Sequence, residues 1–72
     1  MAWNPSPQVA AARDYSRKFG GNRVIILTVY RNGQVGYASY GETMALCDEA
    51  RDLAEVAMAE VEHELERRAQ LP

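Results

Sequence analysis

The spacing of hydrophobic residues changes twice along the chain, and the first segment has the period of a helix. The sequence NPSPQ, at positions 4–8, marks the start of this segment, and Gly20 follows its last residue. Ser6 can accept hydrogen bonds from the first free N–H groups, and Pro7 suits the first helical position. Glycine readily adopts the left-handed backbone that ends many helices. The pattern therefore predicts a helix over residues 7–19.

The middle of the chain follows a period of two. The β-branched and aromatic run RVIILTVY precedes a second alternating run, VGYASY. Asn32-Gly33 between them is a strong hairpin signal, because both central residues of a type I′ turn need positive φ. The pattern predicts strands over residues 23–30 and 34–40, joined by a two-residue turn.

That turn decides which side chains share a face of the hairpin, because paired residues of antiparallel strands point the same way. A two-residue turn pairs Tyr30 with Val35. One face then combines large aliphatic residues with small ones and is expected to receive a helix; it consists of Ile25, Leu27, Val29, Gly36, Ala38 and Tyr40. The other face is also largely apolar, although a solvated face would alternate to polar residues. It is expected to be an interface, and its members include Val24, Ile26, Tyr30, Val35 and Tyr37.

The last third of the chain returns to helical spacing and predicts a helix over residues 43–69, with Thr43 or Glu42 at its start. Its apolar stripe consists of Leu46, Ala50, Leu53, Ala57, Val61 and Leu65. This helix is about 38 Å long at about 1.5 Å per residue, whereas strands of this size span about 23 Å. Val61 and Leu65 are therefore expected to extend beyond the hairpin and to join the interface.

These elements predict a single domain over residues 1–72, of class α+β and order αββα. A chain of 72 residues is near the size at which one core is barely sufficient. Cys47 is the only cysteine, so no intramolecular disulfide can form. We therefore expect a homodimer. One thiol, with no secretory or membrane-spanning pattern in the sequence, favours a cytoplasmic location.

The net charge of −2 conceals an uneven distribution. Residues 1–41 carry five basic residues against one acidic residue, and residues 42–72 carry nine acidic residues against three basic ones. The basic half, with Tyr30 and Tyr37 for base stacking, supports nucleic-acid binding as an alternative function. The net acidic composition argues against it, because such domains are usually basic. An acidic helix can also imitate a phosphate backbone, although many solvated helices share this composition.

Candidate catalytic and metal-binding residues are few. Glu60 and His63 have the Glu-x-x-His spacing of carboxylate-bridged metal sites, but the motif occurs once and a solvated histidine explains it as well. Cys47 and His63 are separated by about 24 Å along one helix, so they cannot form a catalytic pair within one chain. We therefore predict no enzyme activity, no catalytic residue, no metal and no cofactor.

The run VIILTVYRNGQVGYASYGETMALCDEARDLAE resembles small accessory proteins of temperate phages and prophages of proteobacteria. In those proteins an aliphatic strand, a tight turn, a strand like GYASYG and an Ala/Asp/Arg-rich helix follow one another. The resemblance covers about half of the chain and includes no catalytic motif. It implies a protein that binds a host or phage macromolecule, including inhibitors of host proteins.

Overall fold

The computed structural model describes residues 6–71 and confirms the predicted α+β class and αββα order. Helix α1 is Pro7–Phe19, strand β1 is Arg23–Val29, strand β2 is Val35–Gly41 and helix α2 is Met44–Ala69. The two strands form one antiparallel sheet. All eight ends of these four elements lie within one residue of the predicted ones.

Local capping explains why the helices begin and end where they do. The Ser6 hydroxyl accepts an N–H from the first turn of α1 at 3.2 Å, and the Thr43 hydroxyl does the same for α2 at 3.1 Å. Gly20 ends α1 with φ of 81° and donates its N–H to the Ser16 carbonyl at 2.8 Å. Residues 4–5 of the predicted helix-start sequence lie outside the described residues.

The hairpin turn has three residues, so the predicted two-residue turn is wrong. Tyr30 donates its N–H to the Gln34 carbonyl at 2.8 Å, and Gly33 donates to the Tyr30 carbonyl at 2.9 Å. Only Gly33 of the turn has positive φ, at 87°. The Asn32 side chain accepts the Gln34 N–H at 3.0 Å. This is a type I turn followed by a glycine bulge, the usual three-residue hairpin loop.

The extra turn residue shifts the strand register by one. Val29 pairs with Val35 and Arg23 with Gly41, in place of the predicted Tyr30–Val35 pair. A shift of one residue exchanges the face that each β2 side chain shares with β1. Tyr37 therefore lies beside Leu27, and the composition predicted for both sheet faces is wrong.

The hairpin is the middle layer of three, because α1 and α2 pack on opposite faces, and within residues 6–71 no Cα atom of α1 lies within 8 Å of a Cα atom of α2. Between α1 and the sheet, Ala12 is fully buried, and Val24 and Ala38 are nearly so. Ser16 is also buried, and its hydroxyl donates to the Gly21 carbonyl. The polar group beneath α1 is thus hydrogen-bonded, as a buried hydroxyl needs to be.

Helix α2 approaches the other face of the sheet very closely, through small residues. Ala50 and Ala54 are fully buried. At Gly41 a Cβ atom would overlap the backbone of Leu46 and Cys47, and it would lie 2.6 Å from the Cys47 Cα. A helix was predicted to pack on the small residues Gly36 and Ala38, and α1 lies on the face that carries them, where Ala38 is nearly buried. The close approach of α2 at Gly41 was not predicted.

Small residues make this core thin. Its hydrophobic members among the described residues are Ala12, Val24, Ala38, Ala50 and Ala54. No large side chain of the described residues is fully buried. Large apolar side chains therefore lie at the margins of the layers, where part of their surface remains in contact with water.

Candidate functional site

The sequence-predicted interface residues do not share one surface. Val24, Ile26 and Tyr30 lie on the face that α1 covers, whereas Val35 and Tyr37 lie on the α2 face. Val24 is only 8% exposed. The predicted continuous tyrosine-bearing face therefore does not exist, for the physical reason that the glycine bulge shifts β2 by one residue.

Val61 and Leu65 also lie elsewhere than predicted. Both are half-buried, and Leu65 lines an open cleft at the tip of the hairpin together with Val29 and Val35. Helix α2 begins beside the end of β2 and runs back along the sheet, so Leu65 is still level with the hairpin turn. The expectation that Val61 and Leu65 extend beyond the hairpin is wrong.

The buried side of α2 is centred on Ala50 and Ala54, and this leaves large residues uncovered. Leu53, which was predicted to belong to the buried stripe, is 48% exposed, and Val56 is 62% exposed. The reason is the close packing at Gly41, which brings the side of α2 with the smallest residues against the sheet. No signal in the sequence distinguishes this rotation of the helix from the predicted one.

Leu53 and Val56 lie on the side of α2 that borders β1. Glu49, which precedes them by four and seven residues on the same side of the helix, forms an ion pair with Arg23 at the start of β1. Beyond Arg23, the α2 face of β1 carries Ile25 and Leu27, which are half-buried, and Val29, which is 52% exposed. We name this surface the apolar flank; it consists of Ile25, Leu27, Val29, Leu53 and Val56.

The opposite side of α2 borders β2 and is acidic. Its carboxylates recur at helical spacing and form an acidic row consisting of Asp48, Asp52, Glu55, Glu62 and Glu66. The Tyr37 hydroxyl of β2 donates to Glu55 at 3.3 Å, which fixes the row beside the β2 edge. Packing against α2 removes water from this hydroxyl and, together with the Glu55 carboxylate, raises the pKa of Tyr37 above its ordinary value.

The C-terminal turns of α2 carry a small charge network. The Glu64 carboxylate accepts hydrogen bonds from Arg67 and, at 3.2 Å, from Arg68. These bonds lower the pKa of Glu64 below its ordinary value. Both arginines also suit the negative end of the helix dipole. The network strengthens the end of α2, which is exposed.

The residues considered for chemistry are not brought together. Glu60 and His63 are both exposed on α2, and within residues 6–71 no group of three or more His, Cys, Asp or Glu side chains could hold a metal ion. Cys47 is half-buried near the start of α2 and lines a cleft with Val9 and Tyr40. It lies sixteen residues, or about 24 Å, from His63 along the same helix.

The basic residues of α1 are also separated from the second tyrosine. Arg17 and Lys18 are exposed in the last turn of α1, and the Lys18 ammonium group lies 5.4 Å from the centre of the Phe19 ring. Tyr30, on the α1 face, is 49% exposed, but Tyr37 lies on the opposite face. A stacking surface built from both tyrosines is therefore absent from the described fold.

Comparisons with known proteins add no further assignment, since no protein-family model, curated protein or solved structure matches the chain. Neither of the two helices within residues 6–71 has the length and apolar character needed to cross a membrane. The apolar flank is thus the candidate functional surface that the described residues provide.

Proposed function

We propose that this protein is a non-catalytic binding module that acts as a homodimer. The observation that carries the proposal is the combination of a thin, alanine-rich core with the exposed apolar flank. Leu53, Val56 and Val29 are each about half exposed or more. Small domains commonly obtain the burial that one core cannot supply from a partner subunit.

The partner that the proposal assigns is a protein. The sequence resemblance to phage and prophage accessory proteins favours inhibition of a host protein as the setting, and the single thiol favours action in the cytoplasm. Most of the acidic row borders β2, whereas the apolar flank borders β1, and the two come together only where Asp52 precedes Val56 by one turn. A dimer that uses the apolar flank leaves the acidic row accessible to a partner.

Self-association is tested by sedimentation equilibrium of the wild-type chain across the micromolar range. The expected result is a mass of two chains and a melting temperature that rises with protein concentration, since association stabilises the folded form by mass action. A folded species with the mass of one chain at every concentration contradicts the proposal.

Inhibition of a host protein needs a separate test. The chain is expressed in a proteobacterial host that restricts a test phage, and the plating efficiency of that phage is measured. Restoration of plating by the wild-type chain supports inhibition of a host defence protein. Unchanged plating on hosts with different defence systems, with the chain expressed and folded, argues against this setting.

Nucleic-acid binding is the alternative, and the exposed Arg17 and Lys18 are the feature that favours it. The separation of Tyr30 from Tyr37 gives it less support than the sequence suggested. Fluorescence anisotropy with labelled single- and double-stranded oligonucleotides tests it. Since phosphate contacts are strongest at low salt, absence of binding there rejects the alternative.

A further inference from the structure

The outer edge of β1 has backbone groups without hydrogen-bond partners among residues 6–71. The Tyr30 N–H donates to the Gln34 carbonyl, and the Glu42 N–H donates to the Asn22 carbonyl. In an antiparallel pair, residues that bond to the partner strand alternate with residues that do not. Even-numbered residues of β1 bond to β2, and odd-numbered residues direct their N–H and C=O groups away from it. The outward-directed groups belong to Arg23, Ile25, Leu27 and Val29.

This edge lacks the features that usually prevent strands from pairing. Proteins protect exposed edges with lysine, proline, bulges or very short strands. β1 is seven residues long, RVIILTV, and contains neither lysine nor proline. Its bulge lies in the turn and leaves Arg23–Val29 regular. Three of the four residues with outward-directed backbone groups, Ile25, Leu27 and Val29, also form the β1 part of the apolar flank.

A second copy of β1 complements this edge. In an antiparallel pair centred on Ile26, Leu27 faces Ile25 of the second copy, and all seven residues pair. The outward-directed N–H and C=O groups of both strands then meet, as the two-fold symmetry of a dimer requires. The result is a four-stranded sheet of order β2-β1-β1-β2, which exceeds the two strands that are marginal by themselves.

The α2 helices fit the same arrangement. With strands about 4.8 Å apart, helices centred over their own hairpins lie about 10 Å from each other, near the distance of packed helices. Helix α2 lies closer to β2 than to β1, so the gap is somewhat wider. Leu53 points toward this gap, and Val56, which is farther from the sheet, borders its outer side.

Charge distinguishes the β1 edge from the β2 edge, which is also open. Pairing through β2 would bring together two acidic rows, and like charges placed side by side oppose association. Pairing through β1 sets the two α2 helices antiparallel. The side of α2 that borders β1 carries Glu49 and Glu60, but Glu49 is already paired with Arg23 of its own chain. Fewer carboxylates without an ion pair therefore meet in the β1 arrangement than in the β2 arrangement.

We propose that two copies of the chain pair through β1, antiparallel and centred on Ile26, with Leu53 of both copies between the α2 helices and Val56 at the outer side of the same contact. This inference rests on the proposed function, because it specifies the surface through which the proposed homodimer forms.

A disulfide tests the centre of the pair. Ile26 would form a non-hydrogen-bonded pair with its own symmetry mate, with Cα atoms about 4.5 Å apart, which suits a disulfide. Ile26→Cys in a Cys47→Ser background is expected to give a covalent dimer on mild oxidation. Thr28→Cys is the matched control, because its Cα lies about 14 Å from its mate, too far for a disulfide. Equal cross-linking of both variants, or none of Ile26→Cys, overturns the pairing.

A second pair of variants does not depend on the stability of Ile26→Cys. Val56→Glu is expected to weaken dimerisation at least about tenfold, because it places a negative charge beside the helix contact in both copies. Met44→Glu is the control, since Met44 is 80% exposed and lies outside the apolar flank. Sedimentation equilibrium measures both. A wild-type monomer overturns the proposed dimer itself, whereas a dimer unaffected by Val56→Glu overturns only the β1 interface.

Discussion

Replacement of Gly41 by alanine is expected to destabilise the fold strongly. Gly41 is the last residue of β2, and the start of α2 packs directly on it. A Cβ atom there would overlap backbone atoms of Leu46 and Cys47. Its φ is not in the left-handed region, so alanine could adopt the backbone conformation itself. The predicted cost therefore comes from steric overlap between two backbone segments.

The size of the expected loss of stability depends on which atoms can move away from the added Cβ. Added methyl groups in well-packed sites cost about 1–3 kcal/mol, and more when no side chain can rotate away. Here the obstacle is helix backbone, so we expect about 3 kcal/mol. For a domain of this size each kcal/mol lowers Tm by about 4–8 °C, which gives a decrease of about 12–24 °C. The whole domain is expected to have a stability of about 4–11 kcal/mol.

Gly36→Ala is the matched control for this substitution. At Gly36 the nearest atom to an added Cβ is Cε2 of the Tyr30 ring, at 3.3 Å. This ring is about half exposed and can rotate outward, so we expect a change within about 1 kcal/mol. Thermal and urea unfolding followed by circular dichroism, at one protein concentration, measure both variants. A Gly41→Ala protein that melts within about 4 °C of the parent would refute the reasoning.

Three further predictions concern single contacts. Thr43→Ala removes the cap of α2 and is expected to cost about 1 kcal/mol in urea unfolding, and an unchanged midpoint would contradict the capping role. The pKa of Glu64, measured by carboxyl NMR titration, is expected to lie below its ordinary value and to rise in Arg67→Gln. The small stabilisation from this network is present above the pKa of Glu64 in the unfolded chain and is lost as pH falls through its pKa in the folded chain. The pKa of Tyr37 is expected to be raised and to fall in Glu55→Gln. The contribution of Tyr37 to stability is present below its pKa in the unfolded chain and is lost as pH rises through its pKa in the folded chain. An ordinary pKa in the ultraviolet tyrosine titration would contradict the contact between Tyr37 and Glu55.

The candidate site could be predicted only in part. The sequence correctly indicates surplus apolar surface in a small chain, but it assigns that surface to the wrong residues. Tyr30 and Tyr37 were expected on one face and lie on opposite ones. Val56 belonged to no predicted surface, yet it is 62% exposed beside Leu53. These positions depend on register and helix rotation, which local residue patterns do not fix.

The sequence by itself determined the elements and their ends, because capping and period are local properties. Ser6, Gly20 and Thr43 act within a few residues of their positions, and alternation distinguishes strand from helix without reference to the rest of the chain. The tertiary structure decided which faces meet. One bulge residue, Gly33, shifted every pair of the hairpin, and the close approach of α2 at Gly41 decided which side of that helix is buried. Both outcomes depend on contacts between segments distant in sequence, where small differences in packing select one arrangement.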